Sequence, residues 1–443
     1  MYNLCQLNIL QKVYNMYSSN IWHPCTQMKD FEKSPPMNVY RTEGRYIYTK
    51  DNRKLFDVTS SWWCKSLGHR HPYIIAKLKT QLDKYEHTIF ANITNDEIDS
   101  FSQRICNLTG MDKTLYASDG SCAVEIALKM TTHLRSFQNQ TNKTKFVCLE
   151  NSYHGETLAT MSVSDCGLYS DPYKSLLFDS LKLKNIPYVT GKNDPLWLNA
   201  EVYWNKSQQY LEQHKEFINA LIVEPICQGA GGMLIYSKDY LNRLCKWCRE
   251  NDIYIIFDEI MTGVGRLGKL FAYEYLDIKP DFLCVSKGLT SGIIPFSIVL
   301  TKNQYYEMFY DNELTKAFLH SHTHSGNVLG AVVANAVLDI FEKENILNNV
   351  KNLEKQFGES FLELQEQLPI IKNIRGIGAV IAADLNIDKK RAGLDVYREA
   401  IKLGALLRPL GNTIYWLPPL NSTQQEIESL KSATRRSILN AFG

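Results

Sequence analysis

IYIIFDEIMTGVGRLGK (253–269), followed by DFLCVSKGLTSG (281–292), carries most of the decision about how this chain folds. Each segment opens on an apolar run of strand length and closes on charge: Asp258 and Glu259 in the first, Lys287 in the second. KFVCLE (145–150) and ALIVEP (220–225) have the same form. Helix-like stretches lie between these runs, the clearest being YSKDYLNRLCKWCREND (236–252). Buried strands alternating with helices predict an α/β fold, with a mostly parallel sheet covered by helices on both faces. Such sheets bind ligands beyond the carboxyl ends of their strands, so the residues closing each strand hold the interest.

Outward from this centre the pattern changes. Residues 1 to about 70 contain short strand-like pieces such as GRYIYTKDNRKLFDVTS (44–60). A long helix-like run, 331–368, is followed by the strand-like GIGAVIAADL (376–385) and TIYWLPP (413–419). A chain of 443 residues exceeds what one hydrophobic core usually organises. The expectation is a large domain over 71–330 and a smaller α/β domain built from both ends, 1–70 and 331–443. The formal net charge of +2 argues against nucleic acid or an anionic membrane as partner. No apolar run is long enough to span a bilayer. MYNLCQLNILQKVYNMYSSN (1–20) reads as an amphipathic segment without a signal-peptide core, so a cytoplasmic location is expected. The cysteine count of 11 is odd and scattered, which fits free thiols. Cys245 and Cys248 lack two further ligands nearby and read as helix packing.

Four places could carry chemistry. A carboxylate such as Asp258 at the end of a buried strand is costly unless a cation meets it. A pyridinium nitrogen is one such cation; the competing explanation is that Asp258 and Glu259 are an ordinary pair of capping or salt-bridging acids. Lys287 emerges from an apolar strand into a Gly-bounded turn, where desolvation frees its amine for Schiff-base chemistry; a plain surface lysine is the alternative. In SDGSCAVEIALKM (118–130), Gly120 and Ser121 start a helix and offer N–H groups, a hydroxyl and the positive dipole end to a phosphate. An ordinary N-cap explains the same residues. In NSYHGETLATMS (151–162), Tyr153 or His154 could stack on a flat ring or simply pack within a loop.

Together, the strand-end DE, TGVGRLGK, SKGLTSG and SHTHSGN (321–327) resemble, in order and approximate spacing, the class III, fold-type I aminotransferases. More narrowly, IWHPCTQM (21–28) and SSWWCKSLGHRHP (60–72) resemble the branch that aminates 8-amino-7-oxononanoate with S-adenosylmethionine. The resemblance runs from about residue 20 to the C-terminus and implies a ping-pong transamination on pyridoxal 5′-phosphate (PLP), giving 7,8-diaminononanoate for biotin synthesis. It implies Lys287 as Schiff-base lysine and proton shuttle, and Asp258 on the pyridine nitrogen. Gly120 and Ser121 would hold the phosphate, with Thr323 reaching it across a homodimer interface. Tyr153 would stack on the ring at the catalytic centre, with Glu224 near the cofactor. Trp62 and Trp63 would line the substrate pocket, Arg408 would pair with a substrate carboxylate as an Arg fork can, and Arg266 would touch substrate. Lysine as donor, or another class III reaction, are the alternatives.

Some positions depart from the family pattern. Cys25 stands where an aromatic usually follows WHP, and Glu156 replaces an Asp. Ser291 and Ser321 replace glycines, and His324 an aromatic. Gly263–Gly268 matches a dinucleotide fingerprint, but without a following helix and acid it is weak. It also has P-loop spacing to Lys269, where Leu270 then removes the magnesium-binding hydroxyl. His320, His322 and His324 alternate without a carboxylate, so no metal is expected there, and His69 and His71 read as structural.

Overall fold

The computed structural model describes residues 20–165 and 167–443; the N-terminal stretch read as amphipathic lies almost wholly outside them. A seven-stranded sheet forms the centre: β1 (Lys113–Ala117), β2 (Lys145–Leu149), β3 (Leu181–Leu183), β4 (Ile218–Val223), β5 (Tyr254–Asp258), β6 (Phe282–Val285) and β7 (Ser297–Thr301). Its order is β1-β7-β6-β5-β4-β2-β3, and only β7 runs antiparallel to its neighbours. The four strands expected from sequence are all present, and the sheet adds β1, β3 and β7.

Period-two alternation explains why β4, β5 and β6 read as continuous apolar runs. Ile255, Phe257, Leu283 and Val285 enter one core cluster, while Tyr254, Ile256, Phe282 and Cys284 enter the cluster on the opposite face. Helix α1 (Gly120–Phe137) buries Ala123, Ile126, Ala127 and Met130 in that second cluster. Asp258 shares the parity of Ile256 and so faces the α1 side. On the other face, α2 (Lys238–Glu250) buries Leu241, Leu244, Cys245 and Cys248 at helical spacing, and Ser237 caps it by accepting from Tyr240 N. Cys245 and Cys248 are therefore core residues with free thiols.

The run expected as one long helix is two, α3 (Val328–Lys343) and α4 (Ile346–Gln367). Asn345 breaks it with a left-handed φ of 48°, a conformation that Asn tolerates better than most residues. The two chain ends meet in a smaller unit beside the central sheet. Phe56 bridges Ala405, Leu417 N donates to Val58 O at 3.0 Å, and Arg45 pairs with Glu426 at 3.0 Å. Three-stranded sheets lie in each end: Val39–Glu43, Tyr46–Thr49 and Lys54–Phe56 in the first, Ile371–Ile377, Val380–Leu385 and Thr413–Trp416 in the second. Among the described residues no helix is long and apolar enough to cross a membrane.

Candidate active site

Parallel pairing brings the charged strand ends together. Asp258 lies opposite Cys284 in the β5–β6 register, and Lys287 follows just past the end of β6. Lys287 itself has a φ of 43°, so the chain turns sharply where its side chain leaves the sheet. A Cβ on the next residue, Gly288, would stand 3.2 Å from Val264, which leaves little room for a larger residue in the turn.

A cavity of about 390 Å³ opens at these strand ends, a size suited to a small-molecule cofactor. Gly120, Ser121, Tyr153, Glu224, Asp258, Lys287 and Trp63 all line it. Asp258 is 4% exposed; its Oδ2 lies 2.8 Å from His154 Nδ1, and its Oδ1 accepts from Ile260 N at 3.1 Å. No lysine or arginine pairs with it among the described residues, so a cation brought by a ligand would complete its surroundings. Glu224 accepts from Tyr153 N at 3.0 Å and from Gly229 N at 2.9 Å. Burial pushes the Glu224 carboxyl up to about 7, with Asp258's charge adding to the rise and His154 and the two N–H donors opposing it. Lys287 Nζ sits 4.8 Å above the Trp63 ring. Burial lowers its pKa, against the pull of Asp258 and Glu224, and so favours the neutral amine.

Gly120 and Ser121 begin α1, with Asp119 capping the helix by accepting from Cys122 N at 3.0 Å. The first N–H groups of α1 have no partner within the helix. Gly155 runs close beside them: a Cβ there would meet Ser121 Oγ at 2.3 Å. A helix start, a hydroxyl and a glycine-bounded wall suit a phosphate. With Asp258 set for a protonated ring nitrogen and Lys287 for a carbonyl carbon, the donor set fits a phosphorylated pyridine aldehyde.

A turn of unusual hand supplies the Trp62–Trp63 wall. Ser60, Ser61, Trp62 and Trp63 have φ of 47°, 46°, 72° and 72°. Trp63 N donates to Thr59 O and Cys64 N to Ser60 O, closing a left-handed helical turn. For L residues this conformation costs about 1–2 kcal/mol each. Trp63 is buried and its indole N–H donates to Tyr415 Oη at 3.0 Å. Trp62 is 46% exposed, with the Arg408 guanidinium stacked 4.4 Å over its ring. Neither Trp62 nor Arg408 lines the cavity itself. They join it through a rim: Arg408 Nη2 donates to Cys25 O at 3.3 Å, Cys25 Sγ is 3.9 Å from Glu156, and Glu156 accepts from the Tyr153 hydroxyl at 3.0 Å. The two departures at Cys25 and Glu156 thus touch each other.

Two expected residues stand elsewhere. Arg266 is buried outside the cavity lining, where it donates to Ala379 O and Pro418 O. Thr323 is exposed, and its carbonyl lies 2.9 Å from His87 Nε2. His320 Nε2 is 3.1 Å from His322 Nε2, with Lys129 Nζ 2.8 Å from His320 Nδ1. The stretch 263–268 leads into the short 3₁₀ turn Ala272–Tyr275, a poor match to a dinucleotide site. The sequence offers His154 only as a stacking ring. Its contact with Asp258, whose position lies 104 residues away, has no local signal.

Comparison with known proteins agrees with this geometry. The family model described as Aminotransferase class-III matches residues 28–438. An adenosylmethionine-8-amino-7-oxononanoate aminotransferase from Helicobacter pylori is 44% identical over 417 residues, covering 92% of this chain and 93% of that protein. The crystal structure of a protein of that name from Methanocaldococcus jannaschii superposes with a TM-score of 0.88 at 33% identity, covering 98% of this chain and 100% of that one. An amine transaminase from an uncultivated Pseudomonas species, solved in its PLP-bound form, superposes with a TM-score of 0.87 at 29% identity, covering 96% and 99%.

Proposed function

The chain belongs to the class-III aminotransferases, and from that premise we propose that it carries an amino group from S-adenosylmethionine to 8-amino-7-oxononanoate. It is a PLP-dependent aminotransferase of fold type I. The observation that carries the substrate reading is Arg408. Its guanidinium is stacked on Trp62 and donates to Cys25 O, and no carboxylate is recorded against it among the described residues. An unpaired guanidinium on an aromatic wall suits the carboxylate at the far end of an apolar chain.

PLP supplies, when bound, an electron sink for charge at the carbon that carries the transferred amine. Asp258 keeps a positive charge on a ring nitrogen, and His154 fixes the orientation of its carboxylate. The α1 start, with Gly120 and Ser121, takes the phosphate. Lys287 would hold the cofactor through Nζ, and the same atom is placed to hold and move the proton; burial favours the neutral base that task needs. Trp63 and Tyr153 exclude water from the reacting atoms. Glu156 brings negative charge to the rim, which suits the cationic sulfonium of S-adenosylmethionine.

That same charge also suits the ammonium of lysine, which is the second reading of the donor. Single-turnover amination of the cofactor, donor by donor, separates the two. S-adenosylmethionine is expected to drive it, and addition of 8-amino-7-oxononanoate is then expected to release 7,8-diaminononanoate. If lysine acts and S-adenosylmethionine does not, the donor half is wrong while the acceptor half stands. No diaminononanoate from any donor would remove the acceptor.

Thr323 does not line its own chain's cavity, and its place in the reading is the phosphate of a second copy. Lys287→Ala and Thr323→Ala chains, each strongly impaired alone, are expected to regain activity when mixed and allowed to exchange. Each mixed dimer has one intact composite site, so about a quarter of wild-type activity is expected at random assortment. No recovery despite demonstrated exchange would place Thr323 outside a shared site.

A further inference from the structure

Asp57 is wholly buried at the foot of the left-handed turn Ser60–Trp63. Its Oδ1 accepts from Ser61 N at 2.9 Å, its Oδ2 accepts from Ser61 Oγ at 2.6 Å, and His69 Nε2 lies 2.9 Å from the same Oδ2. Both carboxylate oxygens are thus spent on one residue of the turn and on the ring that backs it. No lysine or arginine pairs with Asp57 among the described residues. A buried carboxylate committed to a run of strained, non-glycine residues holds a geometry that local preference opposes. What the turn presents is functional: Trp63 lies beside Lys287 Nζ and Trp62 beneath Arg408.

We propose that Asp57, backed by His69, is a positioning residue for substrate: it latches Ser61 and so holds Trp62 and Trp63 in the left-handed turn that backs Arg408 and roofs Lys287. The proposal rests on the reading of Trp62, Trp63 and Arg408 as the acceptor's walls. It makes the turn a designed part of the site, with specificity set by a group that touches neither substrate nor cofactor.

The strain itself offers the test, because glycine adopts positive φ without penalty. In the PLP-loaded enzyme, Asp57→Asn puts an N–H where Oδ2 or Oδ1 accepted, weakening the latch. It is expected to raise the acceptor KM about tenfold while kcat stays within about twofold. Adding Ser61→Gly, which relaxes the turn, is expected to return KM to within about threefold of wild type. A folded Asp57→Asn enzyme with unchanged KM, a loss confined to kcat, or no rescue by glycine would each overturn the proposal. Should Asp57→Asn fail to fold, Ser61→Ala and Ser61→Gly decide: the alanine variant is expected to raise KM and the glycine variant to raise it less, whereas equal values would overturn the latch. Iodide quenching of indole fluorescence, read without substrate, separates this claim from the substrate reading. Quenching altered by Asp57→Asn and restored by Ser61→Gly would sustain the latch even if wild-type enzyme failed to aminate 8-amino-7-oxononanoate; unaltered quenching would overturn it.

Discussion

Lys287→Ala is expected to leave a folded protein whose cofactor is bound only non-covalently and whose turnover falls by roughly 10³-fold or more. The reason is geometric before it is chemical. The lysine leaves the sheet just past β6 at a φ of 43°, and its amine ends 4.8 Å over Trp63 in the cavity that also holds Asp258 and Glu224. Among the described residues it is the only lysine that lines the cavity. Alanine removes both the covalent anchor and the group that moves the proton, so kcat and kcat/KM should fall together. Added methylamine is expected to restore a small part of the rate by supplying a free amine to the vacated space. Near-wild-type turnover in Lys287→Ala would show that another group carries the proton.

Asp258→Asn is the second large effect, expected to lower kcat by on the order of 10²-fold or more while the protein still folds. The amide can keep one of the side chain's two contacts, with Ile260 N, and it removes the negative charge beside His154. Without that charge the ring nitrogen of a bound pyridine loses its proton more readily, and the electron sink weakens. Cofactor content, read from the visible spectrum, should drop less than turnover, because the phosphate cradle at the α1 start is untouched. Full activity in this variant would mean that a different group meets the nitrogen.

How far the sequence carried depended on the kind of signal each residue leaves. β4, β5 and β6 are buried on both faces, so their apolar runs and charged ends were legible, and with them Asp258 and Lys287. β3 is a three-residue edge strand, and KTLYA of β1 carries a polar start; neither differs enough from loop composition to be read alone. The break at Asn345 was missed because helical periodicity resumes on both sides of one left-handed residue. Tyr153, Gly120 and Ser121 sit in local motifs that make them legible as candidates, and all three line the cavity. Arg408 and Trp62 meet across hundreds of residues, and only family resemblance brought them to the same site. Asp57 left no signal of its role, and His154, in the same motif as Tyr153, left none of its contact with Asp258. Each is an ordinary polar residue until the fold sets it against Ser61 or Asp258.

The central claim is that one lysine at the end of β6 holds PLP opposite Asp258. Borohydride reduction of the PLP-loaded enzyme, followed by proteolysis and mass spectrometry, tests it most directly. The account predicts a single peptide carrying the reduced cofactor, with the label on Lys287 in DFLCVSKGLTSG; label on a different lysine, or none on a protein that still turns over, would contradict it.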